Sequence, residues 1–176
     1  MSLFLALLLL VAQVPLHYAI EIGKEEGYDS DRPLVADFYE PENSPFTGSN
    51  FRWTGDRSLI RLPGLGQRPL QLRLRLLPVN PDAAARGPQA IEVWAAGQLI
   101  GHVPIRPTSG GSYTLLVPPP PDGSGNHEIE LRSATFTPTG DPRAIGTPVD
   151  AALIKSVGGP AWPAWGSILL WLAAML

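Results

Sequence analysis

The chain has 176 residues, 44% of them hydrophobic and 16% charged, with a formal net charge of −3 and no cysteine. Its length suits one ordinary domain with short appendages, and 13 basic residues against 16 acidic ones, with no basic run, leave no electrostatic case for nucleic acid as a partner. The lack of cysteine excludes disulfides, thiolate nucleophiles and cysteine metal sites, without assigning a compartment.

The 20 prolines and 18 glycines stand well above the ~12% that is usual for the pair. They fall between short apolar stretches rather than in one block, as expected of many strands joined by many turns.

The chain opens on an almost uncharged stretch, residues 3–16 (LFLALLLLVAQVPL). It is shorter than the ~20 residues a spanning helix needs. Pro15 near its end, with His17 and Tyr18 beyond, suits a helix leaving a bilayer with Tyr18 at the interface, hence a membrane span or an uncleaved anchor. A cleaved signal peptide is the second reading, although no Lys or Arg precedes the run and no A-x-A-like site follows it. A buried core helix is the third. Residues 1–17 are therefore set apart from residues 18–157.

From there the pattern changes to period two. Residues 18–22 (YAIEI) and 34–39 (LVADFY) are the weaker strand candidates; 58–62 (SLIRL) is clearer. Residues 70–76 (LQLRLRL) alternate without error, placing four leucines on one face and Gln71, Arg73 and Arg75 on the other, as in a half-buried strand. Residues 81–86 (PDAAAR) read as a loop or one short turn. Residues 91–95 (IEVWA) put Ile91, Val93 and Ala95 inward and Trp94 outward. A tight turn over 96–98 returns the chain as 99–105 (LIGHVPI). Residues 112–117 (SYTLLV), 127–132 (HEIELR) and 149–157 (VDAALIKSV) complete the set. Between them, the prolines of 118–126 (PPPPDGSGN) form a stiff approach to a turn and cannot continue a central strand. Seven to nine such strands predict an all-β fold, an antiparallel β-sandwich of jelly-roll type with about eight strands, flanked by N- and C-terminal hydrophobic membrane segments.

Past Gly158 and Gly159, the residues Trp162, Pro163 and Trp165 lead into an apolar run that continues to Leu176. Trp favours membrane boundaries, and residues 158–176 read as a linker and the start of a second transmembrane helix, which makes the chain an N-terminal fragment of a longer protein. A terminal helix packed onto the domain is the alternative.

The chemistry-bearing candidates are sparse. There is no G-x-S-x-G, and His17, His102 and His127 have no metal-ligand spacing. His127 shares parity with Ile129 and Leu131 and reads as a satisfied histidine at the core edge. No catalytic residue, metal or cofactor is assigned. Asp37, Glu40 and Glu42 stand beside Phe38 and Tyr39, where acids near aromatics suit sugar binding or glycoside chemistry, or are simply solvated. Asp122, Ser124, Asn126 and Glu128 alternate as calcium ligands can, but a plain turn explains them equally. Trp94 on a sheet face is able to stack on a sugar ring or touch a partner, or to lie under a loop. Arg73 and Arg75 are expected to pair with Glu128 and Glu130 across strands. Asp141 is placed to cap turn N–H groups, and Arg143 to clamp carbonyls or a carboxylate. The ligand-binding candidates are thus Trp94, Tyr39, Glu40, Glu42, Asp141 and Arg143.

Four stretches carry a resemblance: residues 38–42 (FYEPE), 51–54 (FRWT), 62–66 (LPGLG) and above all 133–150 (SATFTPTGDPRAIGTPVD). Over most of residues 19–157 the chain resembles the extracytoplasmic β-sandwich, galactose-binding-like or carbohydrate-module-like, of bacterial polytopic membrane proteins. Many of these are similar to glycosyltransferases of the protein-mannosyltransferase type. The acidic motif those enzymes carry after their first helix has no counterpart directly after Tyr18. The resemblance implies a non-catalytic module at the cell membrane, on its extracytoplasmic side. It would touch lipid through both ends, and a glycan or the rest of its own parent protein through the sandwich. A fragment of a membrane glycosyltransferase using a lipid-linked sugar, and a secreted carbohydrate-binding protein, are the rival readings.

Overall fold

A computed structural model of the chain describes residues 14–79 and 81–158, together with the helical positions Leu169 and Ala173. Within residues 14–79 and 81–158, ten strands and one short helix follow in order: β1 (His17–Glu21), β2 (Val35–Phe38), β3 (Glu42–Asn43), β4 (Asn50–Leu62), β5 (Leu70–Leu76), α1 (Pro81–Arg86), β6 (Ala90–Ala95), β7 (Gln98–Pro104), β8 (Gly111–Val117), β9 (His127–Ser133) and β10 (Pro148–Ser156). All pairings are antiparallel. Hydrogen bonding runs β7-β6-β9-β4-β10-β5-β8, with β1 added to β10 and β2 and β3 added to β4.

The long β4 makes two layers of this path. Its first half meets β10, where Trp53 and Arg52 face Pro148 and Val149. Its second half, from Arg57 to Leu62, pairs with β9. One layer is therefore β1-β10-β5-β8 and the other β2-β4-β9-β6-β7. Where β4 changes layer, Phe51, Arg52, Trp53 and Thr54 are all buried in succession, and Asp56 and Arg57 emerge at the bend. The chain is an antiparallel β-sandwich, as its alternation predicts.

The core lies between the layers. β5 and β9 contribute strict alternation of buried and exposed positions, and Leu70, Leu72, Leu74, Ile91, Val93, Ile129, Leu131 and Val149 are fully excluded from solvent. Each such side chain stabilises the fold by about 1.5–3 kcal/mol relative to exposure. At the outer strands the layers close on each other: a Cβ on Gly101 of β7 would sit 2.5 Å from Leu115 of β8. A second, smaller cluster of Phe51, Trp53, Leu77, Ala83 and Ile145 fills one end, where the Phe51 and Trp53 rings meet edge to face at 5.6 Å.

Three details differ from the sequence reading. Residues 81–86 form an α-helix, stopped by Gly87, whose N–H bonds the Ala83 carbonyl. β3 and the first half of β4 are strands that the alternation did not signal. Arg73 and Arg75 lie in the opposite layer from Glu128 and Glu130, because β5 pairs with β8 and β10. Arg75 instead meets Asp150 of β10 at 2.7 Å, while Glu128 pairs with Arg61 at 3.6 Å.

No helix among the described residues is long and apolar enough to cross a membrane. The stretches read as membrane segments, 1–17 and 158–176, fall almost wholly outside the described residues.

Candidate functional site

The sandwich has two ends, distinguished by which loops they carry. One, the exit end, holds the loop 63–69, the turn Ala96–Gly97, the loop 118–126 and the approaches to both termini. The other, the far end, holds the loops 39–49, 105–110 and 134–147 together with α1. The six residues singled out above divide between them.

Trp94 lies towards the exit end. β6 turns into β7 through only two residues, and Ala96 and Gly97 both take positive φ, 52° and 73°. That is a type I′ turn, whose twist matches a hairpin. It fixes Trp94 on the outer face of its layer, with Leu99 opposite on β7 and Glu130 opposite on β9. Trp94 is half-buried. Its indole N–H donates to Glu92 Oε2 at 2.9 Å, and the Arg132 guanidinium covers its ring at 4.2 Å, worth about 0.5–1 kcal/mol at an exposed site. Arg132 in turn donates to Glu130, which also receives Arg57 at 2.8 Å. The Arg132 hydrogen bond, seconded by Arg57, holds the Glu130 carboxyl below its ordinary value of 4.5.

Beside this row lies a groove of about 310 Å³, bounded by Trp94, the Ala96–Gly97 turn and the prolines 118, 120 and 121. Asn126, Glu128 and Glu130 supply acceptors along it and Arg132 a donor. The end of the proline-rich loop is tied to the loop 63–69: Gly66 N–H donates to the Gly125 carbonyl and Gly64 N–H to Asn126 Oδ1. His127 anchors the same corner. It is buried, and its Nε2 lies 3.1 Å from the Gly66 carbonyl. Burial pushes its pKa down, against the pull of the Gly66 and Pro118 carbonyls. It is a structural histidine, in keeping with its parity. Asp122 Oδ1 accepts from Ser124 N–H and Ser124 Oγ from Asn126 N–H, so the alternating oxygens of this stretch are spent on the turn. Among the described residues no group of acids and histidines is placed to hold a metal ion.

Four of the other candidates meet at the far end. Arg143 binds Asp141 through two nitrogens, Glu42 at 2.7 Å, and lies over the Tyr39 ring at 5.5 Å. Hydrogen bonding to Asp141, then to Glu42, raises its pKa, and Asp141 is lowered in turn. Tyr39 donates its hydroxyl to the Ala144 carbonyl at 2.8 Å, and Trp53 its indole N–H to Glu42 at 3.3 Å. The charges within this cluster are answered internally, and its bonds tie the loop 134–147 to β4. Asp141 caps a turn and Arg143 clamps carboxylates. Glu40 stands apart, on a cleft of about 350 Å³ with Glu25, Arg32 and Arg52.

Two groups of interacting side chains were not visible in the sequence. Glu92, Glu130 and Arg132 share the Trp94 face; their outward parity was visible, but the β6–β9 pairing that gathers them was not. Asp31 and Arg52 form a buried ion pair, with Nε–Oδ2 at 2.7 Å and Nη2–Oδ1 at 2.9 Å. The only trace of it in the sequence is a lone arginine between the aromatics Phe51 and Trp53.

No protein-family model matches the sequence, and no curated protein matches it. Solved structures do share the fold. The ANX2 ectodomain from Arabidopsis thaliana aligns over 81% of this chain and 50% of its own, at 9% identity and a TM-score of 0.55. A chain of the plant RALF23 complex with FER and LLG2 aligns over 80% of this chain and 48% of its own, at 13% identity and the same TM-score. The chain thus spans about half the length of these plant chains. A family 35 carbohydrate-binding module from an environmental isolate aligns over 84% of this chain and 97% of its own, at 14% identity and a TM-score of 0.46. Identities this low tie the chains by fold alone, and the last alignment is too loose to carry more than the comparison itself.

Proposed function

We propose that the chain is a non-catalytic β-sandwich module that binds glycan at the Trp94 groove and is held, on the extracytoplasmic side of the cell membrane, by its apolar ends as part of a larger membrane protein. The observation that carries the binding is the composition of the groove. A half-buried indole with a fixed orientation lies beside three carboxylates, a carboxamide and a guanidinium. Sugars offer both an apolar C–H face and a ring of hydroxyls, and this is the mixed surface that recognises them. The guanidinium over Trp94 is itself a donor for hydroxyls and moves aside at small cost, since Arg132 is half exposed. The resemblance of residues 133–150 to such membrane-protein modules supports the setting.

The full chain in detergent, applied to a glycan array, is expected to bind a defined set of sugars. Trp94→Ala weakens that binding about tenfold or more, as loss of one stacking contact of ~1.5 kcal/mol requires. Arg143→Gln, at the opposite end, leaves the sugar preference unchanged. Absence of binding to every sugar, or binding indifferent to Trp94→Ala, removes the reading.

A further inference from the structure

Both chain ends leave the sandwich at the same place. β1 starts at His17 beside the close of β10, with His17 opposite Lys155. The two exits then run side by side: Ser156 N–H donates to the Leu16 carbonyl at 3.0 Å, Leu16 N–H to Ser156 Oγ at 2.9 Å, and Arg68 to the Val14 carbonyl at 3.0 Å. Val157 N–H bonds the Pro69 carbonyl at 3.1 Å. The apolar sequences 3–13 and 161–176 are therefore continuous with two adjacent points on one end of the domain.

The surface around the exits carries exposed apolar and aromatic side chains beside cations. Leu116 is 61% exposed, Val14 60%, Tyr18 42% and Val157 38%, an apolar and aromatic rim. Arg61, Arg68, Arg73 and Lys155 stand on or near it, against the acids Asp122 and Glu128. The far end also exposes an aromatic side chain, Phe46 at 60%, but differs in its charge, with more acids than the arginines they pair with. Glu25, Asp31 and Glu42 sit about the start of β4 through contacts with Arg52, Phe51 and Trp53, and Asp141 joins them through Arg143.

We infer that the exit end of the sandwich, with Leu116, Tyr18, Val157, Arg68 and Lys155 on its rim, is a docking face for the lipid headgroups of the bilayer. This rests on the membrane reading of the two apolar ends. Apolar and aromatic side chains enter the interface, the cations meet phosphates, and the acid-rich far end points away. The Trp94 groove then lies at the margin of the bilayer rather than out in solution. Its ligand is a glycan presented at the membrane surface.

The chain has no cysteine, so a single one reports without ambiguity. Full-length Leu116→Cys and Thr108→Cys, both exposed sites, are each labelled with a fluorophore and reconstituted into vesicles of phosphatidylcholine with a minority of phosphatidylglycerol. Collisional quenching by headgroup spin-labelled lipid is then measured, after the vesicles are floated on a density gradient. β8 alone separates the two ends by about 20 Å, so quenching at Leu116 is expected to exceed that at Thr108 about twofold or more. Protein that floats with the vesicles while the two sites are quenched alike, or Thr108 more, overturns the docking face and leaves the membrane reading standing. Protein that does not float overturns both.

Discussion

His127 illustrates how much a single buried group contributes to the response of the fold to pH. Its imidazole is nearly excluded from water and neutral, and burial lowers its pKa from 6.5. In the unfolded chain it takes up a proton near the ordinary value; in the folded chain it does so only at lower pH. Between the two the unfolded state binds more protons, so its contribution to stability is complete above about pH 6.5 and fades as pH falls towards the lowered folded value. The thermal midpoint is expected to decline from pH 7 to pH 5, above the range in which carboxylates such as Glu130 titrate. His127→Gln flattens that part of the profile. An unchanged slope in the variant would assign the decline to other groups.

At the scale of elements, the segment 23–34 has few ladder bonds of its own, and Asp31, together with Glu25 and the Leu34 carbonyl, joins it to β4. The Asp31 carboxylate accepts Gly23 N–H at 2.6 Å and two bonds from Arg52. Without Asp31 the buried Arg52 guanidinium keeps only Glu25 at 3.4 Å and the Tyr39 carbonyl at 3.1 Å, so Asp31→Ala is expected to cost about 3 kcal/mol, or roughly 10 °C in the thermal midpoint by calorimetry. A loss of only a few degrees would mean that water reaches Arg52 in the variant. The strands themselves were legible where one face is wet: residues 70–76 and 127–132 alternate because solvent covers one side only. The first half of β4 was not legible, since a strand passing from one layer to the other is buried on both sides and Phe51 to Thr54 show no period. Which strands pair was not legible either. That is why the partners of Arg73 and Arg75 were misassigned, and why Arg132 was not placed over Trp94. The Arg143 cluster was readable in part, because Pro138 and Pro142 fix the backbone on either side of Gly140, whose positive φ turns the chain, and leave Asp141 and Arg143 placed to cap and clamp.

For the whole molecule the decisive element is β4, which belongs to both layers. Neither layer is complete without it, so the two are expected to open together. Native-state hydrogen exchange on the full chain in detergent should give amides in both halves of β4, for instance Trp53 and Ile60, the same opening free energy, along with Leu72 of β5 and Leu131 of β9. Separate opening of the layers, with Trp53 exchanging well before Ile60, would show instead that β4 comes apart at its bend. The sandwich class followed from the sequence because periodicity is local, whereas the crossing of β4 is a long-range property that only the folded chain displays.

The adjacent exits also determine how the sandwich takes a mechanical load. A pull that drives residues 16 and 156 apart falls on the first rung between β1 and β10 and then on the next, His17 against Lys155, Tyr18 against Ile154. The rungs give way singly, like the teeth of a zip, instead of sharing the force as they would in shear. Tension between the two tails thus peels β1 away at modest force, while the strands behind it keep their order.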